Sequence, residues 1–179
     1  KFSEKDLQVL FEQKNLNFNS KKISNLKLES NLFYILKSSK KSALAFFNGG
    51  SNNMELVEKS NYYGIQPRNS EQAFALHAIM NPSIRLVTLT GVAGTGKTLL
   101  ALAGSLEQRR DFKQIYLARP IVPLSNRDIG FLPGDAEQKI NPYMQPLWDN
   151  LKFIKNQFGE RDRNYKQIEE MVANEKILV

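Results

Sequence analysis

Residues 91–98 read GVAGTGKT, and the chain around them decides how it is to be read. The pattern G-x-x-x-x-G-K-T is met by Gly91, Gly96, Lys97 and Thr98. Phosphate oxygens need several convergent N–H donors, and only a tightly curled backbone supplies them. Gly91, Gly94 and Gly96 permit that curl because they tolerate positive φ and carry no side chain to block approach. Val92, Ala93 and Thr95 fill the remaining loop positions. Leu99 follows within the first turn of an alanine- and leucine-rich helix, expected from about Lys97 to Arg109. Its N-terminus would point free N–H groups at an anion. Lys97 adds a full charge for the β/γ phosphates, and the Thr98 hydroxyl suits a magnesium ion. A glycine-rich turn could match the pattern by chance. The apolar stretch IRLVTLT at 84–90 before it and the helix after it argue for a phosphate-binding loop and a nucleoside triphosphate, ATP first.

Working outward, the stretch 84–90 is expected to be a strand, and QIYLA at 114–118 the next one. Strand, loop, helix and strand make a βαβ unit, so a parallel sheet flanked by helices is expected. Before it, Asn69 can cap a helix that runs to about Met80, where Asn81-Pro82 stops it. Gln72, at the start of that helix, has an amide able to read the edge of adenine. Its spacing from Asn69 is equally that of a capping box, and spacing leaves both readings open. Tyr62 and Tyr63 could stack on a base, though packing is the commoner role. Residues 119–135 form a long loop with three prolines and two glycines, a length usually kept for function. Asn141-Pro142 is expected to begin another helix, with Leu147, Leu151 and Ile154 on its apolar face and Trp148 in the core. A last helix covers about Asn164 to Ala173.

The first 60 residues differ in composition, being rich in lysine, serine and asparagine. Ser3 is a candidate N-cap for a helix over roughly 4–14, with Leu7, Leu10 and Phe11 on one face. LFYIL at 32–36 and ALAFF at 43–47 read as strands joined by the polar turn Lys37–Lys41, and Met54 to Val57 as a third. The expected division is a small β-containing module at 1–60 and an α/β domain at 61–179.

Bulk composition narrows the chemistry. The chain has 179 residues, 41% of them apolar, and no cysteine. Disulfides and cysteine-based metal or redox sites are therefore excluded. The single histidine, His77, rules out a histidine-cluster metal site, and a satisfied structural role is expected for it. No apolar run approaches the roughly 20 residues of a membrane span. The lysine-rich N-terminus does not read as a secretory signal, so a cytoplasmic setting is expected. The net charge of +7 favours a nucleic-acid partner, although a solvated basic surface explains it as well.

Several segments taken together resemble one family. YYGIQPRNSEQAFAL at 62–76, RLVTLTGVAGTGKTLLALA at 85–103 and YLARPIVPLSNRDIGFLPGDAEQKINPYMQPLWDNL at 116–151 resemble the PhoH-like ATPases. The ARP-x-x-P, GFLPG and NPYMQP-x-x-DNL stretches within them are more specific than the phosphate loop. The resemblance implies a RecA-like P-loop ATPase related to superfamily-one helicases, acting on RNA as a homo-oligomer, and an adenine-reading glutamine at Gln72. Residues 31–47, NLFYILKSSKKSALAFF, are similar to the linker that follows a PIN ribonuclease domain in fused members. One departure stands out. The family's apolar strand ending in Asp-Glu, which holds magnesium and polarises water, has no counterpart here, since Glu169-Glu170 follows Lys-Gln-Ile. Slow hydrolysis by this chain is expected on that ground.

Arg119 ends the expected strand beside the phosphate loop, at the sheet edge where ligands bind. It is a candidate for contact with γ-phosphate or RNA, against a surface ion pair. Asp128 and Asp135 in the long loop read as turn and cap residues. Two other functions compete with an RNA-directed motor. A small-molecule kinase would usually begin at the loop's own strand, without the upstream helix and module. A nucleotide-binding or oligomerisation module with little turnover is the other.

Overall fold

The computed structural model describes residues 2–17, 28–120 and 136–178. Asp128, Asp135 and most of the 119–135 loop lie outside them. The chain divides into two compact units, one of residues 1–60 with 66–84, the other of residues 61–65 with 85–179.

The first unit opens with helix α1 (Glu4–Gln13). Ser3 Oγ accepts from the Asp6 N–H at 3.1 Å, and Asp6 Oδ2 accepts from the Ser3 N–H at 3.3 Å, so both ends of a capping box are made. The helix stops at Lys14, whose φ of +60° is left-handed. Strands β1 (Asn15–Asn17), β2 (Phe33–Lys37), β3 (Ser42–Asn48) and β4 (Asn53–Leu56) form an antiparallel sheet in the order β1-β4-β3-β2. Ser38 and Lys41 close the β2–β3 turn, and the Asn48 side chain accepts from the Gly50 and Ser51 N–H groups in the next turn.

Because side chains alternate along a strand, β3 feeds two cores. Ala43, Ala45 and Phe47 join Leu36, Met54 and the α1 residues Leu7 and Leu10 on one face. Phe46 and Leu44 join Phe33 and Val57 on the other. That second face is covered by helix α2 (Ser70–Met80) through Ala73 and Phe74. Helix α2 thus lies beyond the composition shift at residue 60 yet packs with the first unit.

His77 on α2 sits among the rings of Phe33 and Phe46, at 5.8 and 5.0 Å between centroids. The structural role expected of it holds, but not its satisfaction: Nε2 is buried without a hydrogen-bond partner. Desolvation pushes its pKa below the ordinary value, with Glu55 pulling the other way.

In the second unit, helices α3 (Lys97–Glu107), α4 (Ala136–Lys155) and α5 (Arg163–Ala173) pack with the parallel strands β5 (Ile115–Tyr116) and β6 (Ile177–Leu178). Leu100, Ala103, Leu106, Leu151, Ile154, Ile168 and Ile177 are all buried there. The turn at 62–65 fastens onto them. Tyr63, 5% exposed, lies edge-on to Phe158 and under the Arg109 guanidinium at 4.7 Å, while its N–H donates to Glu107 Oε2. Tyr63 is therefore a packing residue.

Three expectations are corrected. Residues 84–90 form no strand among the described residues, and Leu86 is 84% exposed. A strand exists through its ladder, and this stretch has no partner in one. Helix α4 begins at Ala136, five residues before Asn141, and runs through Pro142 and Pro146. Each proline lacks the N–H that a helix interior would use, a cost the helix carries at both positions. Trp148, expected in the core, is only half-buried.

Candidate nucleotide-phosphate site

The loop at 91–98 curls as its glycines allow. Gly91, Gly94 and Gly96 have φ of +146°, +79° and +87°, a region that L side chains rarely enter. Within the curl, Lys97 Nζ donates to the carbonyls of Gly91 (2.9 Å) and Val92 (2.8 Å) and approaches Thr95 Oγ1 at 3.5 Å. Thr95 Oγ1 in turn donates to the Val92 carbonyl at 2.9 Å. A flexible lysine is thereby held over the loop, so less rotamer freedom is lost when an anion arrives.

The helix that follows is built differently from the others whose starts are described. Helices α1, α2 and α5 are capped by Ser3, Asn69 and Asp162, each accepting from a first-turn N–H. Helix α3 has Gly96 at its N-cap and so no side-chain cap, and its first turn holds no acidic residue. The Leu100 N–H is already bonded to the Gly96 carbonyl, so the donors that lack an intrahelical partner lie at 97–99. An anion there meets both these N–H groups and the positive end of the helix.

A cavity of about 430 Å³ opens at this point, lined by Gly94, Gly96, Lys97, Thr98 and Leu99 from the loop and by Asp149, Asn150 and Phe153 from α4. Val92 is 77% exposed and takes part through its carbonyl. Gly91 likewise contributes a carbonyl acceptor and Ala93 a loop position. The sequence offers Asp149 and Asn150 only as part of the NPYMQP-x-x-DNL stretch, and nothing in it marks Phe153. Oxygen donors are what the cavity offers a cation, the Thr98 hydroxyl and the Asp149 carboxylate, and these suit magnesium.

Two other sequence candidates remain, Arg119 and Gln72. Arg119 is exposed, three residues beyond β5, and is not among the described residues lining it. Gln72 belongs to the first unit. Its Oε1 accepts from the Arg68 N–H at 2.9 Å, while its own N–H donates to Asn69 Oδ1 at 2.9 Å. The side chain closes the turn at 68–72, reaching one residue further back than a capping box would.

No helix among the described residues is long and apolar enough to cross a membrane. No solved structure matches the chain significantly. The relatives it matches include PhoH2 of Bacillus subtilis, 49% identical over 104 residues, covering 56% of this chain and 23% of the relative. A PhoH-like protein of Bacillus subtilis is 33% identical over 125 residues, 69% of this chain and 38% of the relative. PhoH of Escherichia coli is 39% identical over 89 residues, 49% of this chain and 24% of the relative. The chain thus spans less than two fifths of each of these proteins. The family model described as PhoH-like protein matches residues 64–179, the stretch that holds the glycine loop, the uncapped helix and the cavity wall. This chain belongs to the PhoH family.

Proposed function

We propose that the chain binds ATP with magnesium at residues 91–98 and serves a P-loop ATPase that works on RNA. The observation that carries this reading is the Lys97 ammonium, fixed over the Gly91 and Val92 carbonyls at the mouth of an uncapped helix. The β/γ phosphates take Lys97 and the N–H groups of Gly94 to Leu99, and Thr98 gives its hydroxyl to the nucleotide's magnesium. Gln72 reads adenine, and Arg119 meets γ-phosphate or RNA. In this reading strands β5 and β6 belong to a RecA-like parallel sheet. Exposed Lys37, Lys40 and Lys41 on the β2–β3 turn suit an RNA backbone.

A second reading, a binding module that acts through assembly with little turnover, is favoured by exposed apolar side chains in the second unit. Leu86 is 84%, Tyr116 72% and Phe112 63% exposed. Phosphate release from ATP, measured with and without single-stranded RNA alongside the mass by light scattering, separates the two. RNA-stimulated turnover supports the motor; nucleotide binding with assembly and no turnover supports the module.

A further inference from the structure

Helix α4 brings a negative charge to a cavity whose other wall is built for an anion. Asp149 lines it together with Lys97 and Thr98. Gln145, one turn earlier on α4, donates to Asp149 Oδ1 at 2.8 Å. That bond fixes the carboxylate without exhausting it, since an ionised carboxylate has about four acceptor sites. Asn150 donates its own amide back to the Pro146 carbonyl, so it brings no charge to offset Asp149. Among the cavity's described residues, Lys97 and Asp149 are the charged pair, one of each sign. A bare triphosphate would meet Lys97 favourably and Asp149 unfavourably.

The conflict disappears if a hydrated divalent cation stands between phosphate and carboxylate. Among the described residues no three acidic or histidine side chains gather to hold a metal by themselves. A cation here takes its ligands from phosphate oxygens, water and the Thr98 hydroxyl, and a carboxylate accepts from the water shell. We infer that Asp149 makes this cavity selective for the metal complex of the nucleotide, by accepting from the cation's water and repelling the metal-free phosphates. This rests on the phosphate-loop reading above.

The test is calorimetric titration of ATP in excess magnesium and again in chelator, on the parent chain, Asp149→Asn and Asp149→Glu. Asp149 is exposed on a helix, so the asparagine, which keeps shape and the Gln145 contact, should leave the melting curve unchanged. For Asp149→Asn the affinity for metal-free ATP should rise and that for magnesium ATP fall, so their ratio shrinks by about tenfold or more. Asp149→Glu should keep most of the ratio. An unchanged ratio in Asp149→Asn, with binding still dependent on Lys97, would overturn the role of Asp149 alone. Absence of ATP binding by the folded parent chain would overturn the phosphate-loop reading and this inference with it.

Discussion

Replacing Gly94 by alanine separates folding from binding. Gly94 has φ of +79°, where an L side chain costs about 1–2 kcal/mol. Alanine also restricts the unfolded chain, which offsets about 0.4–1 kcal/mol of that. The added Cβ meets no atom within 4 Å, so no clash joins the strain. The net loss of stability is about 1 kcal/mol, or about 4–8 °C in melting temperature for a unit of this size. Binding should suffer more. Gly94 lines the cavity, and a phosphate oxygen must come within about 2.9 Å of a loop N–H to be held. A methyl group in that space keeps it away. One lost charge-assisted bond costs about 1.5–3 kcal/mol, which is roughly 10- to 150-fold in affinity. Calorimetry with magnesium ATP, run beside thermal unfolding, reads both quantities on one sample. A dissociation constant within about threefold of the parent's, below ~0.7 kcal/mol, would refute the claim that the phosphates approach the backbone at Gly94.

Two further outcomes are expected. Gln72→Ala should lower the preference for ATP over GTP by about tenfold or more, because an amide that pairs with adenine rejects a base presenting the opposite donors and acceptors; competition binding checks this, and an intact preference leaves Gln72 as the residue that closes the 68–72 turn. His77 is held neutral by burial, its folded pKa depressed below the ordinary 6.5, so its contribution to stability is complete above that value and is lost as pH falls through the folded pKa. The unfolding midpoint of the first unit should therefore drop as pH falls below the ordinary histidine value of about 6.5, and His77→Phe should flatten that drop; an identical slope in the variant would show that other groups cause it.

How much of this was legible beforehand depends on whether the deciding interaction is local. Ser3 and Asp6 sit three residues apart and make their capping box within one turn. Alternation along 43–47 marks β3 as a strand with two usable faces, and the glycines of the loop announce positive φ. What covers the second face of β3 was not legible. Ala73 and Phe74 would suit any core, and only packing sends α2 to Phe46. The stretch 84–90 has a strand's composition, yet strand pairing depends on a partner that its own residues do not specify. Pro142 reads as a helix start because proline favours the first turn, yet it lies inside α4 despite the hydrogen bond it forfeits. Asp149 belongs to the NPYMQP-x-x-DNL stretch, yet that resemblance assigns it no role. Its place at the cavity comes from α4 docking beside the loop, a long-range event that local spacing does not encode.

The most direct test of the account is calorimetric binding of magnesium ATP to the parent chain and to Lys97→Ala. Lys97 is the one positively charged side chain among the described residues of the cavity, and its ammonium also ties the Gly91 and Val92 carbonyls. Its loss removes a full charge from beside the phosphates, worth about 2–4 kcal/mol after screening. Saturable binding by the parent chain is expected, with an affinity weakened by about 30-fold or more in Lys97→Ala and the fold retained. Equal affinity in the two proteins would contradict it.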